Sequence, residues 1–430
     1  MVPSRRHNAG LITGYPRPPA RNECERDTVG TLSTTEHRDP TIEAAIRELA
    51  GLARPSASDG ERRAAEMIAG WLEAAECRVE VECETAHGTY WWPIGLANAL
   101  AVAGAALALR RDTAPARTLG AALAGLSAAA LWDDLGHGRR WFRRALLPRR
   151  ATWNVVAETG DPSATRTIAL IAHHDAAHSG LVFHPALGQI GPRLTPRMHA
   201  RSSHTLPILY GVWLGPVTIT LGALAGRRLV RGGAALATAA VAAMIDIGAH
   251  RVVPGANDNL SAVGVLLAIA RALAERPVGG VRVLLISTGS EESFSEGMQA
   301  FGERHFPRLA RESTEFVCLE CLGGTTLTVL EGEGMLRMRD YPEHMRDALA
   351  DAADAAGVSI TRGLRTVAAT DAIIALRAGY SVVTLASVEG TKLPLNYHWP
   401  TDTPENLHWE TIDDAIATCD AFIRARVGVG

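Results

Sequence analysis

The chain has 430 residues, 47% of them hydrophobic and 21% charged, an ordinary globular balance that excludes a disordered or collagen-like protein. Lys and Arg number 43 against 46 Asp and Glu, a net charge of −3, so no basic excess points to nucleic acid. Six cysteines are too few for a disulfide scaffold.

Residues 1–35 hold Pro, Arg, Asn and Gly and lack the run of ~7–15 apolar residues that a secretory signal requires. This stretch is expected to be a flexible tail ahead of a globular domain over 36–430. Ile42, Ile46 and Leu49 stand at helical spacing. Ser58-Asp59-Gly60-Glu61 reads as a capping box opening a second helix, with Ala64, Ile68, Trp71 and Leu72 on one face. Segment 78–83 alternates like a strand.

Two apolar blocks then interrupt the domain, over 88–150 and 204–250. In each, an uncharged run (88–109, 205–226) is followed by a basic link and a second apolar run (118–132, 232–245). Each reads as a helical hairpin. A membrane span takes about 20 apolar residues: the first member of each pair is expected to be long enough, the second shorter. Trp91, Trp92 and Trp132 stand where an interfacial belt belongs, and the abundant Ala and Gly allow close helix approach. The expectation is a multi-pass membrane protein of the plasma membrane that meets lipid through both hairpins. The alternative is an apolar lid or a pair of buried helices in a soluble enzyme. Arg139, Arg140, Arg143, Arg144, Arg149 and Arg150, with Arg193, Arg197, Arg201 and Arg251, outnumber the tip arginines 110, 111, 117, 227, 228 and 231. The balance places the globular domain on the cytoplasmic side. The arginine run at 139–144 is read as solvated or headgroup-facing.

Outside the hairpins, strand and helix alternate. Segments 154–157, 168–172, 281–287, 316–321 and 381–386 read as strands, and 260–275 as an amphipathic helix carrying Val263, Leu266, Leu267, Ala270 and Leu273. The fold class is therefore α/β, a mostly parallel central sheet covered by helices, with the two hairpins as insertions.

Five motifs carry chemistry: His173-His174-Asp175, Gly255-Ala256-Asn257-Asp258-Asn259, Gly289-Ser290-Glu291-Glu292, Glu320 ahead of Gly323-Gly324, and Asn396-Tyr397-His398-Trp399-Pro400-Thr401-Asp402. Four of them follow strands, where open α/β sheets bind ligands. Each alone is weak. Together they offer two histidines, carboxylates enough for two zinc ions, and a spare carboxylate to serve as base for a bound water.

This ordered set resembles the di-zinc exopeptidases of clan MH, the aminopeptidase and glutamate carboxypeptidase family that includes bacterial leucyl aminopeptidases. The likeness runs over 40–87, 153–180 and 253–424. It implies a zinc exopeptidase domain in which His173, Asp258 and Glu320 hold one zinc and Asp258, Glu292 and His398 the other. It also implies Glu291 as general base, with Asp175 orienting His173. The activity implied is hydrolysis of a peptide or small amide, foremost as an aminopeptidase; a glutaminyl cyclase-like or amide-hydrolysing relative and a catalytically silent binding module are the alternatives. Three positions depart from the family pattern. Glu320 stands for the usual Asp, Phe294 for a glycine two residues after the acidic pair, and Thr370-Asp371-Ala372 for Ser-Asp-His. Gly297 is kept. Cys318 and Cys321, on either side of Glu320, read as buried reduced thiols. Arg362 and Arg365 read as surface residues.

Overall fold

A computed structural model of the chain describes residues 41–111 and 113–427, so the tail expected over 1–35 lies outside the described residues. Two helices open the fold, α1 (Ile42–Ala50) and α2 (Asp59–Ala74), followed by strand β1 (Arg78–Ala86). Helices α3 (Trp91–Arg110) and α4 (Ala114–Leu135) form the first hairpin. Strands β2 (Arg150–Gly160) and β3 (Thr167–His173) come next, then the second hairpin, α5 (Tyr210–Ala225) and α6 (Arg227–Ala249). The remainder runs α7 (Ser261–Glu275), β4 (Arg282–Thr288), α8 (Glu296–His305), β5 (Thr314–Glu320), β6 (Thr326–Val329), α9 (Glu343–Ala355), β7 (Ser381–Val388) and α10 (Trp409–Arg424).

Seven strands form one sheet in the order β1-β2-β4-β3-β5-β7-β6. The central four are parallel, with Ile171 opposite Ile286 on one side and Cys318 on the other. β1, β2 and β6 pair antiparallel at the edges. Every residue of β3 is buried, as expected of a parallel strand covered on both faces. Helix α7 turns Val263, Leu266, Leu267, Ala270 and Leu273 into the core. The capping box forms only by half. Ser58 accepts the amide of Glu61, but the Glu61 side chain is buried and bonds elsewhere.

The hairpins sit where the sequence places them, between β1 and β2 and between β3 and α7. Their helix lengths correct the expectation for the second pair. α5 has 16 residues and α6 has 23, because Pro207 lies in the non-helical approach and Gly226, at φ 156°, ends α5. Beyond it Arg227, Arg228 and Arg231 continue as helix, for which arginine is well suited. Similarly, α4 gains a turn by starting with Pro115 in its first turn. Among the described residues two helices, Trp91–Arg110 and Arg227–Ala249, are long and apolar enough to cross a membrane.

All four hairpin helices pack into a single bundle with its own apolar interior of Ala101, Ala105, Ala124, Ile219 and Ala237. Small residues set the spacing. A Cβ on Gly120 would lie 2.5 Å from the Gly104 carbonyl oxygen, and one on Gly233 2.8 Å from that of Gly215. Ser127 Oγ donates to the Ala97 carbonyl at 2.6 Å and Trp213 Nε1 to that of Ala128 at 3.2 Å. At the tips the two hairpins cap each other. Arg117 of the first donates to the carbonyls of Ala223 and Leu224 that end α5, and Arg227 of the second to that of Leu109 near the end of α3. Both guanidiniums sit where a helix dipole favours a cation. Leu119, Leu126, Leu214, Leu221, Leu224, Leu229 and Ile245 remain exposed around the bundle, and Trp92, Trp132, Trp141 and Tyr210 are exposed at its base.

Close backbone approach makes Gly120→Val an overpacking change, expected to destabilise by about 1–3 kcal/mol. Gly232→Ala, whose Cβ meets nothing within 4 Å, is expected to stabilise α6 by roughly 0.5–1 kcal/mol. Thermal unfolding of the two purified variants checks the opposite signs.

Candidate metal centre

The carboxyl ends of three adjacent parallel strands, β4, β3 and β5, converge on one point. His173 is the last residue of β3 and Glu320 of β5, while Glu291 and Glu292 lie in the turn after β4. Asp258 enters from the turn before α7, and His398 from the loop after β7. His173 Nε2 lies 3.3 Å from Asp258 Oδ1, 3.5 Å from Glu320 Oε1 and 3.8 Å from Glu291 Oε2. His398 Nε2 lies 3.2 Å from both Asp258 Oδ2 and Glu292 Oε2. The geometry thus brings the sequence-predicted residues together as two overlapping triads, His173/Asp258/Glu320 and Asp258/Glu292/His398, each with its ligand atoms within 4.8 Å.

These residues fit metal ions on their own chemistry. Asp258 Oδ2, Glu292 Oε1 and Glu320 Oε2 are buried and accept no hydrogen bond, a costly arrangement unless a cation supplies the missing partner. Carboxylates also outnumber imidazoles. Burial, and then the charges of Asp371, Glu320 and Glu292 working against His173, holds Glu291 well above the usual carboxylate range.

The site is braced by a further set of residues, of which the sequence reading missed the roles of Arg54 and Glu61. Arg54, fully buried, donates to the carbonyls of His174 (2.7 Å), Pro254 (2.6 Å) and Gly255 (2.8 Å), tying the first histidine loop to the Asp258 turn. Asp402 accepts the amides of Asn257 (2.7 Å) and Asp258 (3.1 Å). Burial, then Asp258, pushes it up to about 7. Asn259 donates to the Leu319 carbonyl and accepts the Cys321 amide, clamping the backbone on both sides of Glu320. Asp175 lies 3.4 Å from His173 Nδ1 and accepts the amides of Glu291 and Glu292 and the Ser56 hydroxyl. Glu61 accepts from Ala57, Thr152, Trp153 and both donors of Ser290, which anchors the turn leading to Glu291. Glu61 lies more than two hundred residues from Ser290 along the chain, and its local signature was spent on the capping box. Asp371 accepts from Thr288 and keeps a second oxygen unpaired beside the site. Cys318 and Cys321 are free and buried.

The turn after Glu292 also anchors the first hairpin. Phe294 takes φ 72°, a left-handed conformation that favours glycine. Its ring stacks on Tyr90 at the root of α3, 5.2 Å between centroids. The kept Gly297 is required by packing, since a Cβ there would lie 2.0 Å from the Gly289 carbonyl oxygen. Beside it, Glu296 accepts the amides of His87 and Gly88 and pairs with His87 Nδ1 at 2.7 Å. Arg143 forms a two-pronged pair with Asp134 at 2.9 Å, reaches Glu296 at 3.4 Å and donates to the Ser293 carbonyl at 2.6 Å. Arg140 donates to the Phe294 carbonyl. Arg140 and Arg143 are 2% and 0% exposed, which overturns the solvated reading of the 139–144 run for these two. It also removes them from the charge balance behind the cytoplasmic placement. The sequence concealed this because both partners of Arg143 in the turn lie about 150 positions away.

A cavity of about 330 Å³ opens directly over the centre, bounded by Asp258, Glu291, Glu292, Glu320, Tyr397 and His398 on one side and by the second hairpin on the other. Arg362 and Arg365 do not face it. They pair with Glu331 and Asp347, and with Asp340.

Residues 239–423 match the profile of Peptidase family M28, which covers every site residue except His173 and Asp175. No curated protein sequence matches this chain. Among solved structures, a leucine aminopeptidase precursor from Bacteroides thetaiotaomicron is 15% identical, with a TM-score of 0.50 over 90% of this chain and 98% of its own. A zinc aminopeptidase from Bacillus subtilis is 14% identical, with a TM-score of 0.51 over 91% and 96%. A glutaminyl cyclase from Bacteroides thetaiotaomicron is 14% identical, with a TM-score of 0.50 over 90% and 99%. The fold is shared with these proteins, and the resemblance to the exopeptidase family is borne out.

Arg143→Met strands Asp134 without its cation, leaves Glu296 only Arg140 and His87, and is expected to cost about 3–5 kcal/mol, read by thermal unfolding at neutral pH. Stability also responds to acid. Although burial opposes it, Arg143, the His87 bond and Arg140 hold Glu296 well below the carboxylate range. Burial and then Arg140, Arg377 and Arg143 hold His137 well below the usual histidine value. Both groups bind fewer protons folded than unfolded. Stability is therefore expected to fall as pH drops, from ~6.5 for His137 and again from ~4.3 for Glu296. Unfolding curves that are flat between pH ~7 and ~5 contradict the His137 assignment, and curves that are flat between pH ~4.3 and ~2 contradict that of Glu296.

Proposed function

We propose, from the match to Peptidase family M28 together with the two overlapping triads, that this chain is a zinc-dependent exopeptidase that works as an aminopeptidase on peptides or small amides. The observation that carries the reading is the placement of His173, Asp258, Glu292, Glu320 and His398 around shared, unpaired carboxylate oxygens, with Glu291 alongside. His173, Asp258 and Glu320 would hold one zinc ion, and Asp258, Glu292 and His398 the other. When bound, zinc supplies a Lewis acid for the scissile carbonyl and lowers the pKa of water. The remaining work belongs to the protein. Glu291 takes the proton of the attacking water and delivers it to the departing amine. Asp175 is a positioning residue: it fixes the ring of His173 and, through two backbone amides, the carboxylates of Glu291 and Glu292.

The hairpin bundle holds the enzyme in a membrane. Its exposed leucines face lipid, and Trp92, Trp132, Trp141 and Tyr210 lie at the boundary with water. The charged residues of its helices are confined to their ends.

Purified protein is expected to carry two zinc ions per chain and to release N-terminal residues from a mixed peptide library in a chelator-sensitive manner. Conversion of N-terminal glutamine to a ring without release of a residue would assign the glutaminyl cyclase alternative. Zinc without either product would assign the silent module. Glu291→Gln is expected to lower turnover at least ~100-fold with zinc retained, measured by metal analysis and activity on the same sample. Membranes washed in high salt are expected to retain the protein.

A further inference from the structure

The cavity above the metal centre is chemically two-ended. At one end stand the carboxylates and His398. The other end is built by the inserted bundle, not by the catalytic sheet. Helix α6 presents Leu236, Ala239, Ala240, Ala243, Met244 and Ile247, a stripe at intervals of three and four residues along one face. From Leu236 to Ile247 the helix rises about 16 Å, so the apolar wall runs well up the bundle. Leu209 and Val212 of the α5 approach and Phe183 close the opposite side. An apolar wall of this extent favours an apolar occupant over water. Leu206 and Leu236 line the cavity and are 51% and 45% exposed. Its mouth therefore opens on the same leucine-rich surface that faces lipid.

We propose that this cavity takes the long aliphatic chain of a lipid amide, which slides in from the bilayer with its carbonyl leading to the metal centre. The inference rests on the hydrolytic reading of the centre and extends it to the substrate. In the reaction the acyl C–N bond breaks, the oxygen of water stays on the acyl carbon as a carboxylate, and the amine leaves with a proton passed on by Glu291. The product fatty acid returns to the bilayer through the mouth by which the chain entered. Leu236 and Ala239 at the mouth and Ala243 inside it set the chain length.

The test is hydrolysis of N-acyl glycines from acetyl to palmitoyl by the zinc-loaded full chain in nanodiscs, with leucyl-glycine as the reference peptide. The expected result is a kcat/KM that rises about two- to fourfold per added methylene until the cavity is full. Ala239→Trp and Ala243→Phe are each expected to lower the palmitoyl-to-acetyl ratio at least tenfold. Ala239 is exposed, so a bulky residue there spares the fold. Cleavage of leucyl-glycine with a flat response to chain length overturns the proposal and leaves the aminopeptidase reading standing. If no amide is cleaved, the hydrolytic reading fails, and the cavity is then judged by a dansylated long-chain fatty acid. Blue-shifted emission on the native chain that Ala243→Phe abolishes upholds the aliphatic site, and its absence overturns it.

Discussion

Mutual repulsion among buried carboxylates is the constraint on which the rest of this structure depends. Asp175, Asp258, Glu291, Glu292, Glu320, Asp371 and Asp402 crowd the carboxyl edge of the sheet, against His173, His398 and the guanidinium of Arg54. Bringing such groups out of water is expensive unless each finds a cation or a donor. The fold answers in two layers. Asp258, Glu292 and Glu320 occupy the centre, where oxygen atoms are left unpaired. Around them, Asp175 and Asp402 spend their oxygens on backbone amides, and Arg54 draws three carbonyls from two loops into one place. The outer layer fixes positions, so that the inner layer remains free to bind.

This division explains what the sequence could disclose. His173, Asp258, Glu291, Glu292, Glu320 and His398 were legible because each lies in a short motif at a strand end or helix start. The order of those motifs carries information even though each alone does not. The parallel core was legible in the same way, from apolar runs such as 168–172. Arg54, Glu61 and Arg143 were not legible, because the partners that make them braces are remote: Thr152, Trp153 and Ser290 lie 91–229 positions from Glu61, three carbonyls lie 120–201 positions from Arg54, and the Ser293 carbonyl lies 150 from Arg143. Nothing local distinguishes an arginine that braces a loop from one that solvates. Glu61 went further and presented a false local signature. Helix boundaries in the second hairpin failed for a different reason. Lack of charge marks an apolar block but says nothing about where Pro207 and Gly226 interrupt it.

The departures from the family pattern find physical partners. Phe294 holds a backbone conformation suited to glycine, and its ring instead docks on Tyr90 at the foot of the first hairpin. The strain of that conformation, on the order of 1–2 kcal/mol, is offset by an aromatic contact and by the cation of Arg143 5.4 Å above the ring. The turn carrying Glu291 and the root of the bundle are thus one packed unit. A glycine at 294 would free the turn and leave the hairpin without its stacking surface.

The reciprocal caps at the bundle tip bear on how the molecule is made. Arg227, which satisfies the carbonyl of Leu109, lies 118 positions later in the chain. During synthesis the first hairpin therefore emerges with its tip unsealed. It stays so while β2, β3 and the approach to the second hairpin are translated. Its tip stays in contact with water or lipid headgroups until the second hairpin arrives. The bundle is complete only once residue 249 of 430 has been made, a little past the middle of translation. The strand that ends in His173 has been made by then, but the strands bearing Glu291 and Glu320 have not. The whole bundle is thus synthesised before Asp258, Glu291, Glu292, Glu320 and His398, which complete the centre.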